Sequence, residues 1–90
     1  MEYINEDNRI AVINENGKAI GEITFVEQPG DIWLADHTYV SDDYRGYGIA
    51  KKLVEHLVKR AKAEDKKIIP VCPFVKDEFA RVPAYLDVKG

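Results

Sequence analysis

Ninety residues, 46% hydrophobic and 32% charged, suffice for one small folded domain spanning 1–90 and are too few for a second core. That balance excludes a disordered tail, and no apolar run approaches the roughly 20 residues of a membrane span. A net charge of −3 excludes a broad basic surface for nucleic acid, and a single cysteine excludes an internal disulfide, so a reducing cytoplasm is the expected setting.

The acidic start, Met1 to Asp7, has no signal-peptide shape, and Ile4 to Asn8 reads as a polar lead-in. Arg9 to Asn14 contains Ile10, Ala11, Val12 and Ile13, a short β-prone run. Asn16-Gly17 supplies the pair that tolerates positive φ, a strong hairpin signal. Lys18 to Val26 is a second strand, with Ile23 and Phe25 on one face and Glu22 and Thr24 on the other. After the turn Gln28-Pro29-Gly30-Asp31, Ile32 to Val40 forms a third strand whose alternation puts Trp33, Ala35, His37 and Tyr39 on one face. Three strands joined by tight turns predict an antiparallel meander.

Beyond Val40 the period changes. Ile49, Leu53, Val54, Leu57, Val58 and Ala61 form one apolar stripe at three- and four-residue spacing, which predicts a long amphipathic helix ending near Ala63-Glu64-Asp65-Lys66. Lys67 to Cys72 reads as a buried strand, with Pro70 marking a bulge or an edge. Strand, helix and strand in this order imply a right-handed crossover and a parallel pair. Pro73 to Val82 is a second, short helix, and Pro83 to Asp87 a tail. The fold class is α+β, a mixed sheet with one long and one short helix.

The segment between the third strand and the long helix carries the chemistry. Arg45, Gly48 and Ala50 fit Arg/Gln-x-x-Gly-x-Gly/Ala, and Gly46 adds a second glycine. The first N–H groups of a helix have no intrahelical partner and sit at its positive end. Glycines there remove the Cβ atoms that would keep a phosphate away. Arg45 with Lys51 or Lys52 adds charge, so the stretch reads as a pyrophosphate cradle. A dinucleotide-binding loop needs a third glycine where Lys51 stands, and a P-loop needs Gly-Lys-Ser/Thr; both are absent. The competing explanation is an ordinary strand-to-helix turn whose glycines serve tight packing.

This loop resembles the acetyl-coenzyme A loop of the GCN5-related N-acetyltransferases. Asp36-His37-Thr38-Tyr39-Val40, Tyr44-Arg45-Gly46-Tyr47-Gly48-Ile49-Ala50, Ile69-Pro70-Val71-Cys72-Pro73-Phe74 and Pro83-Ala84-Tyr85-Leu86-Asp87 together look like the small YjdJ-type branch of that family. The resemblance runs from about Ile10 onward and implies a truncated version of the family fold. It implies acetyl-CoA as donor and an amine as acceptor. It also implies pantetheine lying between two splayed strands that end at Val40 and Cys72. The binding residues so implied are Tyr39, Val40, Arg45, Gly46, Tyr47, Gly48, Ile49, Ala50, Lys51, Cys72, Pro73 and Phe74. The chain departs from larger relatives in lacking N-terminal helices that wall the acceptor site and the Asn-x-x-Ala-x-x-x-Tyr stretch carrying a general-acid tyrosine.

A thioester is already activated, so the remaining tasks are positioning and proton handling. A lysine-type amine with pKa about 10.4 is neutral in only about one molecule in 2,500 at pH 7. Cys72, at a strand end before Pro73 and a helix, is the candidate nucleophile for a two-step covalent route; the alternative is a buried structural cysteine. His37 is the candidate base, or else a histidine hydrogen-bonded within the sheet. His56 reads as a solvated helix residue, and Tyr85 as packing. Cysteine and histidines lack metal-ligand spacing. The function expected first is acetyl transfer to an unidentified amine; a non-catalytic CoA-binding module and an interaction domain that lost its ligand are the alternatives. Monomer and weak edge-strand homodimer are both compatible with the chain.

Overall fold

The meander has four strands rather than three. In the computed structural model, which describes all residues from Met1 to Gly90, β1 (Glu2–Asn5), β2 (Arg9–Ile13), β3 (Ala19–Gln28) and β4 (Ile32–Val40) pair antiparallel in chain order. β1 is the segment that reads as a lead-in; Tyr3 opposes Val12 and Ile4 opposes Ala11, so pairing with β2 overrides a weak apolar pattern. A 3₁₀ turn at Asp42–Tyr44 leads to α1 (Ile49–Ala63). β5 (Lys67–Pro70) follows, then α2 (Pro73–Arg81) and a 3₁₀ turn at Pro83–Val88. β5 runs parallel to β4, as the crossover requires, and the sheet order is β1-β2-β3-β4-β5.

One apolar cluster joins the inner face of the sheet to both helices. Ile10, Ile23, Phe25, Trp33 and Ala35 meet Leu53 and Leu57 of α1 and Val75 and Phe79 of α2. Each fully buried aliphatic side chain of this set contributes about 1.5–3 kcal/mol relative to exposure. Both helices therefore share one side, and the other face of the sheet carries no helix. β5 shows the consequence: Ile68 is buried, whereas Ile69 on the open face is 38% exposed, so the strand that reads as buried is buried on one side only. The chain end, through Lys89 and Gly90, bridges to Ile68 and lines the outer side of β5.

A β-bulge sets the direction of the residues nearest the site. Thr24 opposes His37 and Phe25 opposes Ala35, which leaves Asp36 as an extra residue in β4. Alternation reverses across it. Trp33 and Ala35 are buried under the helices, but His37 and Tyr39 are exposed on the open face with their partners Thr24 and Glu22. The single face expected from strict alternation is thus divided in two.

His56 is not a freely solvated residue. Its ring stacks on Tyr3 with centroids 4.3 Å apart, and burial followed by the Lys59 charge holds its pKa below the ordinary value. A folded-state pKa below the unfolded one means the unfolded chain takes up the proton more readily. Stability is therefore full above the unfolded value near 6.5, falls as pH drops below it, and levels off beneath the folded value. Chemical denaturation at pH 7.5 and pH 5 should show this decline, and His56→Phe, which keeps the stack, should remove its share.

Candidate functional site: a helix-start cradle beside a split in the sheet

β4 and β5 pair only from Ile32↔Lys67 to Ala35↔Pro70. The Ala35 carbonyl then accepts from both Val71 N–H and Cys72 N–H, at 2.9 Å each, and closes the ladder. β4 continues five residues farther, from Asp36 to Val40, with no strand on its β5 side. The expected split is present, but β5 ends at Pro70 rather than at Cys72, which is the N-cap of α2, and the cause is local. Pro70 has no N–H to continue the ladder, and the following residues turn into α2.

The loop from β4 to α1 borders this split. Gly46 (φ 89°) and Gly48 (φ 75°) both lie in the left-handed region, and Gly48 is the N-cap of α1. A Cβ placed on either glycine would meet no atom within 4 Å. Tight packing therefore does not explain these glycines. The backbone N–H groups of residues 46 through 51 donate to no group of the protein, the first α1 bond being Lys52 N–H to the Gly48 carbonyl at 3.1 Å. A contiguous run of free donors at the positive end of a fifteen-residue helix, with open space in front of its glycines, is suited to an anion.

These N–H groups border a cleft of about 600 Å³. It is lined by Thr38, Tyr39 and Val40 of β4, by Tyr44, Arg45, Gly46 and Gly48 of the loop, by Ile49, Ala50 and Lys51 of α1, and by Phe74 of α2. Of the residues expected there, Tyr47, Cys72 and Pro73 do not line it. Tyr47 is 69% exposed, because its two glycine neighbours turn the backbone so that its side chain faces solvent. Arg45 is less free than its sequence position suggests: its guanidinium lies 3.1 Å from Asp42 and 3.4 Å from the Val40 carbonyl. Lys51 and Lys52 make no ion pair.

Cys72 is the N-cap of α2, half-buried, with Pro73 at the first helical position. Its Sγ lies 3.7 Å from Thr38 Oγ1, on the inner side of β4. His37 faces the other way, with its Nε2 3.8 Å from Glu22 Oε2 and its side chain 57% exposed. Glu22 also accepts from Arg9 at 2.7 Å. The structure thus brings Cys72 to Thr38 rather than to His37, and the two candidates occupy opposite faces of the same strand end. Tyr85 packs its ring 5.5 Å from Phe79, in agreement with a structural role.

The family model for GCN5-related N-acetyltransferases matches residues 4–88. This chain belongs to that family. Among solved structures, it is similar to a GCN5-like protein from Staphylococcus aureus assigned to the N-acetyltransferases. The identity there is 33%, with 99% of this chain and 87% of that one covered and a TM-score of 0.79. A ribosomal-protein-alanine N-acetyltransferase from Brucella melitensis shares 26% identity, with 84% and 57% covered and a TM-score of 0.64. Rv2747 from Mycobacterium tuberculosis, solved in complex with CoA, shares the fold at 19% identity, with 82% and 46% covered and a TM-score of 0.67. The chain thus spans about half of the two larger proteins. A search of curated proteins finds no match. GCN5-related N-acetyltransferases are acyltransferases that draw the acyl group from coenzyme A thioesters. No cluster of three or more His, Cys, Asp or Glu side chains fit to hold a metal is present, and no helix is long and apolar enough to cross a membrane.

Three residues of the site escape a reading of the sequence. Thr38 meets Cys72, and Tyr44 lines the cleft. Gly21 sits opposite Val40, where a Cβ would fall 2.8 Å from the Tyr39 carbonyl oxygen and 3.0 Å from a Val12 methyl. Only a glycine lets the end of β4 approach this closely. The only hint in the sequence is a glycine inside a strand pattern.

Proposed function

We propose that the protein transfers an acetyl group from acetyl-CoA to an amine. The observation that carries this reading is the run of free N–H groups at residues 46–51 in front of glycines with open Cβ space, inside a GCN5-related N-acetyltransferase fold. In this reading Arg45, Gly46, Tyr47, Gly48, Ile49, Ala50 and Lys51 hold the pyrophosphate through backbone N–H groups and local charge. Tyr39, Val40, Cys72, Pro73 and Phe74 border the path of the pantetheine along the split. A backbone N–H near Val40 receives the oxyanion as the carbonyl is attacked.

Cys72 is the proposed nucleophile. Its thiolate attacks the thioester carbonyl, the bond from that carbon to the coenzyme A sulfur breaks, and the departing thiolate takes a proton from solvent water. The amine first gives its proton to His37 on the open face, then enters the split between β4 and β5, attacks the acetyl-cysteine and releases Cys72 as thiolate. The position of Cys72 as α2 N-cap, where the β4–β5 ladder closes, supports this role. The exposure of His37 on the opposite face supports approach of the amine from that side.

The uncovered face favours one alternative, a non-catalytic module that holds CoA and presents it to a partner. Titration calorimetry with acetyl-CoA followed by intact mass separates the readings. Binding with a gain of one acetyl group, lost in Cys72→Ala, is the expected result. Binding without an adduct, and without turnover on a panel of primary amines, would establish the module instead. In an active enzyme, His37→Ala should lower kcat by about 10²-fold or more at saturating acetyl-CoA; an unchanged kcat would exclude His37 as the base.

A further inference from the structure

One side-chain amide joins the cradle loop to the β2–β3 hairpin. Asn14 opens the β2–β3 hairpin, and both of its backbone groups are used there: its N–H donates to the Lys18 carbonyl at 3.0 Å, and its carbonyl accepts from Gly17 at 2.9 Å. Its side-chain Oδ1 accepts from the N–H of Asn16 at 2.9 Å and of Lys18 at 3.0 Å. Two backbone donors on one oxygen fix the orientation of the amide, so the other atom must be the nitrogen. That Nδ2 lies 3.2 Å from the Tyr44 hydroxyl, thirty residues away in sequence. The phenol oxygen is therefore an acceptor from Asn14, and its own O–H has no partner within the protein. Tyr44 lines the cleft beside Gly46 and Gly48. No other side chain of the 41–48 loop hydrogen-bonds to an element outside the loop and the adjoining end of β4.

We infer that Tyr44 is a ligand-binding residue of the cradle, donating its hydroxyl hydrogen to the bound coenzyme A moiety, and that Asn14 is the positioning residue that leaves this hydrogen free. The inference rests on the reading of the cleft as a coenzyme A site. It adds a donor that the glycine-loop pattern does not contain, and it assigns the hairpin residue Asn14 a role beyond its turn. A single neutral hydrogen bond of this kind corresponds to roughly five-fold in affinity.

The test is the Kd for coenzyme A by calorimetry, with thermal stability measured in parallel. Tyr44→Phe, which keeps the ring and its packing, should raise Kd roughly five-fold with little change in Tm. Asn14→Asp retains the Oδ1 acceptor of the turn but turns the Tyr44 contact around, because a carboxylate oxygen accepts and so captures the phenol hydrogen. It should weaken binding at least as much as Tyr44→Phe while the hairpin holds. In the Tyr44→Phe background most of the Asn14→Asp effect should vanish. Binding by Tyr44→Phe equal to wild type would overturn the inference, as would an Asn14→Asp effect that persists undiminished in the double variant, where only its added charge remains to act. Failure of the wild-type protein to bind coenzyme A would overturn the reading of the cleft itself, and with it this inference.

Discussion

Gly48→Ala is expected to raise the Kd for coenzyme A by about ten-fold or more, the largest loss from a single methyl group in this protein. Two effects act together at this position. The added Cβ would project into the empty space that the free N–H groups of residues 46–51 share, and would hold an anion away from them. The methyl would also strain the left-handed N-cap, where φ is 75°, at about 1–2 kcal/mol for an L residue. Gly30→Ala separates the two effects. Gly30 has φ of 82°, meets nothing within 4 Å of an added Cβ, and sits in the β3–β4 turn away from the cleft. Both variants should lose comparable stability, and only Gly48→Ala should lose affinity. Equal binding by the two alanine variants, measured by calorimetry, would show that the glycine loop does not approach the ligand.

The largest stability effect is expected at Trp33. Its ring is 1% exposed, stacks on Phe25 with centroids 4.2 Å apart, and is covered by the Arg60 guanidinium at 5.5 Å. Trp33→Ala should cost about 3–5 kcal/mol through the lost transfer energy and the cavity it leaves. For a domain of this size that is a large fraction of the total, which is of the order of 5–15 kcal/mol. Trp33→Phe should behave very differently. The indole N–H is buried without a hydrogen-bond partner, a condition that itself costs about 1–3 kcal/mol. Removing that donor together with part of the ring offsets the lost area, so Trp33→Phe should lie within about 1 kcal/mol of wild type. Urea denaturation with unchanged m values reads both. A Trp33→Phe variant as unstable as Trp33→Ala would show that the buried donor carries no penalty.

Site and core join at α1, whose Ile49 belongs to both, and at Val40, Tyr44 and Phe74, which line the cleft and pack against the core. The helix stripe Leu53, Val54, Leu57, Val58 and Ala61 anchors α1 against the sheet. The same anchoring aims the free N–H groups of its first turn at the end of β4. Rigid attachment of the helix and open space at its start are what an anion site of this kind needs.

Elements whose signal is local were legible in the chain. The 3.6-residue period of Ile49 through Ala61 predicts α1, the Asn-Gly pair predicts the hairpin, and strand–helix–strand order predicts the parallel pairing of β5 with β4. The glycine loop that opens α1 was legible for the same reason: glycine spacing and helix start are properties of one short segment. β1 was not, since Glu2–Asn5 has little pattern of its own and becomes a strand only because β2 offers an edge. Alternation extrapolates a single register and so puts His37 on the face of Trp33 and Ala35, whereas the bulge at Asp36 that reverses it depends on how β3 pairs. The helix pattern alone puts His56 in solvent, because Tyr3, which covers it, lies fifty-three residues earlier. Sequence by itself therefore determined both helices, the strands β2 to β5 and the glycine loop that opens α1. Tertiary structure alone decided which face each β4 side chain presents, that Cys72 meets Thr38 rather than His37, and that Asn14 reaches Tyr44. Those outcomes arise from pairing register and long-range packing, and neither leaves a periodic trace in the order of residues.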